Sequence, residues 1–164
     1  MDRIHKLTIY GELPDYNTAI AKAKGDKFGV KYRQWKKETD ERIAWFAKEQ
    51  FQGKPKHTIY RTRKIGGKAT KVSSKVYIDA KCALVVKWYM ANTNKDPDNV
   101  HHAIKYILDG LQWAGVIAND GWNQVGGGTL HENHLDPDNP RVEVYLLENT
   151  VLSYQIEIPE HATA

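Results

Sequence analysis

A chain of 164 residues that is 41% hydrophobic and 27% charged has enough apolar material for one packed core of ordinary domain size. Its one cysteine, Cys82, excludes an internal disulfide framework and fits a reducing, cytoplasmic compartment; no run reaches transmembrane length, and the opening MDRIHKLTIY lacks the apolar core of a secretory signal. The formal charge of +4 hides a division: residues 1–95 carry 22 Lys/Arg against 9 Asp/Glu, while residues 96–164 carry 2 against 11, so the first half can meet a polyanion.

The first predicted element is a strand over about Lys6 to Tyr10, followed by a loop. A helix follows over about Tyr32 to Phe51, with Tyr32, Trp35, Ile43, Phe46 or Ala47, and Phe51 on its buried stripe. Lys36 and Lys37 lie off that stripe, free to face solvent or touch a backbone phosphate. From Gln50 to Ile78 there is no acidic residue, yet Lys54, Lys56, Arg61, Arg63, Lys64, Lys68, Lys71 and Lys75 all fall there. Gly66-Gly67 stands in the middle, with Tyr60 and Tyr77 on the flanks. The segment 54–75 reads as a basic hairpin or loop able to straddle DNA phosphates, with Arg61, Arg63, Lys64, Lys68 and Lys71 among the contacts. A strand over about Lys81 to Ala91 encloses Cys82, whose thiol is expected in the core.

The stretch from Asp96 to Asp120 carries the chemistry. Pro97 disfavours the α region for Asp96, so Asp96 approaches in extended form. Asp98 is then expected as the N-cap of a helix running from about Asn99 to about Trp113. Val100, Ala103, Ile104, Ile107, Leu108 and Leu111 form its apolar face. The opposite face sets Asp98, His102, Lys105 and Asp109 in one row. Gly115 ends the helix, and Val116-Ile117 leads to Asn119-Asp120, where the chain can return beside Asp96 and Asp98. Carboxylates from Asp96, Asp98 and Asp120 around a helix would make a cage for a hard cation such as Mg²⁺, and beside a basic arm such a cage points to phosphodiester chemistry.

A second DPDN, Asp136 to Asn139, is followed by Pro140 and a strand-like run, Val142 to Leu147, and reads as a turn. A further strand is expected over Val151 to Ile158. His131-Glu-Asn-His134 has a ligand-like spacing but no further cysteine or histidine to complete a zinc set. Gly126-Gly127-Gly128 lacks the lysine of a phosphate-binding loop. Strands and helices alternate without a regular βαβ rhythm, so the expected fold is α+β, a mixed sheet packed with two main helices in one domain over residues 1–164.

These motifs resemble the RusA family of Holliday junction resolvases, small endonucleases common in phages and prophages. The family places Asp-x-Asp-Asn before a helix, a lysine four residues before Asp-(Ala/Gly)-Leu, then Ala-Gly-Val and an acidic pair or Asn-Asp. Here these are Asp96-Pro97-Asp98-Asn99, Lys105 before Asp109-Gly110-Leu111, Ala114-Gly115-Val116, and Asn119-Asp120. The start, Tyr10-Gly11-Glu12-Leu13-Pro14-Asp15-Tyr16-Asn17, also resembles phage members. The helix is one turn longer than in some members, so alignment from the left would put His102 in the lysine position. Alignment from Asp109 puts Lys105 there, and a cation that never needs to titrate suits phosphate better than imidazole.

The resemblance implies a crossover junction endodeoxyribonuclease of DNA recombination and repair, working in a bacterial or phage-infected cytoplasm. It implies Mg²⁺, with Mn²⁺ able to substitute, on Asp96, Asp98 and Asp120. It implies Lys105 as the transition-state cation, Asn99 and Asp109 as supporting residues, four-way DNA as substrate and a homodimer as the working form. Rival readings are a nuclease for flaps or forks, a non-catalytic DNA-binding module, and a calcium-stabilised structural domain.

Overall fold

The computed structural model describes residues 3–154. In chain order the elements are β1 (Ile4–Tyr10), α1 (Tyr16–Ala23), α2 (Val30–Phe51), β2 (His57–Ile65), β3 (Lys68–Val76) and β4 (Cys82–Met90). Then come α3 (Pro97–His101), α4 (Ile104–Trp113), α5 (Trp122–Val125), β5 (Thr129–Leu135) and β6 (Arg141–Glu148). β1, β6, β4 and β5 form a mixed sheet in that order, and β2 and β3 pair by themselves. The fold is α+β, as expected.

Alternation decides which strand face is buried. On β4 the side chains of Cys82, Leu84, Val86 and Trp88 are buried, on β6 those of Val142, Val144 and Leu146, and on β1 those of Leu7 and Ile9. α2 and α4 cover this face, contributing Ile43, Ala47, Phe51, Tyr106, Ile107 and Leu111 to one core. The two helices approach closely at Gly110, where a Cβ would stand 2.6 Å from Ile43 Cγ2. Burial pushes the Cys82 thiol up to about 11, so it is an inert core group.

β4 and β5 run parallel, in register from Leu84↔Thr129 to Met90↔Leu135. A parallel pair needs a crossover, and α3 and α4 supply it. The crossover therefore starts beyond the Met90 end of the pair and finishes at the Thr129 end.

The expected helix over Asn99 to Trp113 is broken at His102–Ala103. Bonds there shorten to three-residue spans, Ala103 N to Val100 O at 3.1 Å and Lys105 N to His102 O at 3.2 Å. The break lets neighbouring histidines go separate ways: His101 stacks on the sheet, and His102 sits 4.9 Å from the Tyr16 ring. α1 and β5 lie where no element was expected. Asp15 caps α1 by accepting from Thr18 N at 2.7 Å. Val151 to Tyr154 form no strand, and residues 155–158 of the expected final strand lie outside the described residues. Among the described residues no helix is long and apolar enough to cross a membrane.

Candidate active site and nucleic-acid interface

Asp96, not Asp98, is the N-cap residue of α3, with extended backbone (φ −68°, ψ 139°). Its carboxylate makes no capping bond, Pro97 fills the first helical position, and Asp98 follows in the first turn, where the helix dipole favours negative charge. Both carboxylates are exposed and Asn99 is half-buried. They stand beyond the C-terminal end of β4, beside a cleft of about 330 Å³ lined by Met90, Asn92, Lys95, Asp96, Asn133 and Leu135 among others. Lys95 is held there by Glu12 at 2.8 Å.

Asp120 does not join them. It is exposed in the loop between α4 and α5, and it lines a hollow with Trp122, Gly126 and Gly128 at the Thr129 end of β5. Asp96 follows the Met90 end. Six strand steps separate those ends, about 20 Å. Among the described residues no three His, Cys, Asp or Glu side chains gather as a metal-holding group. The expectation that the chain returns beside Asp96 and Asp98 is corrected: the parallel crossover carries it to the opposite end.

Lys105 sits in the first turn of α4 with a side chain 58% exposed and its Nζ 3.8 Å from Asp109 Oδ2. Asp109 has a closer partner. Lys36, on α2, donates to Asp109 Oδ2 and to Asp40 Oδ2, each at 2.6 Å. Burial works against the Lys36 charge, yet the bonds it donates to Asp109 and Asp40 hold its pKa above the usual ammonium value. Burial pushes the Asp40 carboxyl up in turn. Lys36 is thus a pin between α2 and α4 rather than a free phosphate contact. Lys37 remains exposed, with Glu41 at 3.8 Å. His102 is taken up by aromatic rings, Tyr16 at 4.9 Å and Tyr106 at 5.8 Å, while Lys105 faces solvent.

The basic segment is a hairpin. β2 and β3 pair over nine residues each, and Gly66 and Gly67 turn the chain with φ of 57° and 80°, the left-handed pair that a two-residue hairpin turn requires. Only the base is anchored. Ile59 and Val76 are buried, and Tyr77 N and Ile78 N donate to Gly115 O at 3.0 Å and Val116 O at 2.9 Å. The arm therefore springs from the Asp120 end of α4. Arg63, Lys64, Lys68 and Lys71 are exposed and Arg61 is half-buried. Lys71 Nζ lies 4.7 Å from the Tyr60 ring centre, so the arm also carries an aromatic surface.

A half-buried stack of rings, with only Trp88 fully covered, has no counterpart among the residues expected at the site. The His101 and His131 rings lie 4.3 Å apart at 13°, and Trp88 Nε1 donates to His131 Nδ1 at 3.0 Å. An indole N–H can only donate, so Nδ1 is the acceptor and His131 is neutral. Burial, then the neighbouring His101, hold its pKa below the usual imidazole value. The alternation of His131 and Asn133 with Glu132 and His134 was the available signal. The other DPDN is a turn, in which Asn139 N donates to Asp136 O at 3.2 Å and Arg141 Nη1 to Asp136 Oδ2 at 2.6 Å. Gly127 serves packing, since a Cβ there would collide with the carbonyls of Thr150 and Cys82.

No family model and no curated protein matches the chain.

Proposed function

We propose that the chain is a Mg²⁺-dependent endonuclease of the RusA kind that nicks branched DNA, with the four-way junction as its substrate. One observation carries the reading. Asp96 and Asp98 are open carboxylates at the start of α3, and the same chain bears a projecting arm with cations and no acidic residue. Phosphodiester hydrolysis needs both an acidic pair for a hard cation and a cationic surface for the backbone.

The acidic pair fits Mg²⁺, which is commonly held by one or two carboxylates together with water and substrate phosphate. Asp96 and Asp98 would hold it, and when bound it supplies Lewis acidity at the scissile phosphate. Lys105 brings a permanent positive charge to the phosphoryl oxygens as negative charge develops there. Asp109, 3.8 Å from Lys105 and anchored by Lys36, limits where that charge can swing.

Within one chain Asp120 stands apart from the Asp96–Asp98 pair, at the Thr129 end of β5. A two-fold homodimer that sets Asp120 of one copy against the Asp96–Asp98 end of the other would complete the acidic set twice. Symmetric paired nicks across a junction require that duplication. Trp122, 82% exposed beside Asp120, and Trp113, 49% exposed, offer apolar surface for such an interface; Trp88, at 1%, does not.

The test is incubation of the protein and Mg²⁺ with a labelled mobile junction, beside a linear duplex and a flap, with Asp98→Asn as control. Paired nicks on the junction that vanish in the variant are expected. Cutting confined to the flap would favour a flap or fork nuclease. Binding without cutting in any arm would leave a DNA-binding module.

A further inference from the structure

The arm has cations on both of its faces. Residues paired across an antiparallel ladder share a face, and neighbours along a strand alternate. Arg61 pairs with Val72, Arg63 with Thr70 and Ile65 with Lys68, so Arg61, Arg63 and Lys68 lie on one face. Lys64 pairs with Ala69, Thr62 with Lys71 and Thr58 with Lys75, so Lys64, Lys71 and Lys75 lie on the other, with Tyr60. The Arg61 face is covered only toward the base, where Ile59 and Val76 are buried and Arg61 and Val72 half-buried; the rest of that face and the whole of the other are exposed.

A β-ribbon that binds one duplex turns one face to it and leaves the other in solvent, as when a two-stranded ribbon lies in a major groove. Such a ribbon needs cations on the inner face only. Here the outer face is equally charged, and no acidic residue between Gln50 and Ile78 balances either set. Holding these cations together costs repulsion that a single duplex would relieve on one side. Phosphate walls on both sides would relieve it fully. The strands are nine residues long, about 30 Å, enough to pass between helices rather than only touch one.

We propose that the arm inserts between two DNA duplexes and contacts the phosphates of each with a different face. The inference rests on the reading that the chain binds branched DNA and names the device that prefers a branch point to a simple duplex. It does not require cleavage.

The experiment is a binding titration with Ca²⁺ in place of Mg²⁺, using a fluorescent four-way junction and a linear duplex of one arm sequence. One variant carries Arg61→Gln, Arg63→Gln and Lys68→Gln. A second carries Lys64→Gln, Lys71→Gln and Lys75→Gln. Unfolding midpoints equal to the parent's confirm that each folds, and the exposed pair Arg63→Gln with Lys68→Gln serves for the first face should half-buried Arg61 prove needed for folding. Each triple is expected to weaken the junction complex at least about tenfold and to flatten its salt dependence by about 2 to 3 in log–log slope, near 0.9 per lost phosphate contact. The duplex complex should weaken by less than about threefold in each, because one intact face still serves it. A loss confined to one triple would overturn the inference by leaving the other face in solvent, and equal losses on junction and duplex would overturn it by placing both faces on one helix. Parent protein that bound neither DNA would sink the nucleic-acid reading itself. Binding as expected, with no cleavage once Mg²⁺ is restored, would sink the nuclease reading and leave the two-faced arm standing.

Discussion

Lys36 donates to Asp109 across the α2–α4 interface at 2.6 Å, and the same ammonium donates to Asp40 at 2.6 Å. Asp40 is 3% exposed. One lysine therefore neutralises a buried carboxylate and fixes the residue that stands beside Lys105. Lys36→Met would leave buried Asp40 without its cation and Asp109 with only Lys105, 3.8 Å away. Removing one partner of a buried charge group costs about 3 kcal/mol, against under about 0.5 kcal/mol for the exposed Lys37→Met. Urea unfolding should show that ranking. Affinity for DNA should be unchanged in Lys36→Met, since its ammonium does not reach the surface as a free charge; a loss of affinity at unchanged stability would return Lys36 to the phosphate contacts.

The fold was legible where burial follows a simple period. β6 alternates apolar and polar residues, β4 is a short and nearly unbroken apolar run of strand length, and α2 carries its stripe through Ile43, Ala47 and Phe51. β5 was not legible, because as an edge strand beside β4 its His-Glu-Asn-His run can stay polar. That omission explains the misplacement of Asp120. Without β5 there is no parallel partner for β4, and nothing then says that the segment after α4 must end at the far side of the sheet. Lys36 was misread for a related reason. It lies off the stripe of α2 that meets the sheet, but α4 packs along that flank, and a single-helix pattern does not contain the second helix. The Asp96–Asp98 pair and Lys105 stood out because a proline-marked helix start and the Asp109-Gly110-Leu111 spacing are local features.

Lys105 and His102 separate the two ways of reading the long helix. Lys105→Ala should lower turnover about a hundredfold, as loss of a charge donor at the transition state does, with little change in DNA affinity. His102→Ala should cost about 1 kcal/mol of stability through lost ring contacts with Tyr16 and Tyr106, and under about threefold in turnover. Single-turnover cleavage and thermal unfolding of both variants give the answer. The reverse ranking in turnover would assign the cationic position to His102.

His131 ties stability to mild acid. Its folded-state pKa lies below the ordinary 6.5, through burial first and His101 second, while the unfolded chain keeps the ordinary value. As pH falls through 6.5 the unfolded chain takes up a proton that the folded chain refuses, so stability present at neutral pH is progressively lost. Glu143 acts lower on the scale. Burial alone would raise it, but hydrogen bonds from Tyr145, Arg141 and Lys6 hold it at about 2, so its contribution is lost only as pH falls from 4.5 toward that value. Urea midpoints should therefore decline between about pH 7.5 and 5.5. His131→Gln should flatten that decline even if it starts from a lower midpoint. An unchanged slope in the variant would assign the pH response to another group.

The separation of Asp120 from Asp96 and Asp98 makes a sharper demand on the proposed dimer. If each site joins Asp96 and Asp98 of one copy to Asp120 of the other, Asp98→Asn and Asp120→Asn homodimers are both inactive, since every site in each contains a defect. In a mixed dimer the substitutions fall together. One site receives the altered Asp98 position of one copy and the altered Asp120 position of the other, and the second site is intact. Mixing the inactive variants after subunit exchange should restore cleavage, and each mixed dimer should nick only one of the two symmetric strands. A junction labelled on both strands, resolved on a denaturing gel, distinguishes single from paired nicks. If mixing restores nothing while sedimentation shows mixed dimers, the site does not draw on both copies. An Asp120→Asn homodimer with near-parental cleavage would instead remove Asp120 from the chemistry and leave the Asp96–Asp98 pair to hold the ion alone.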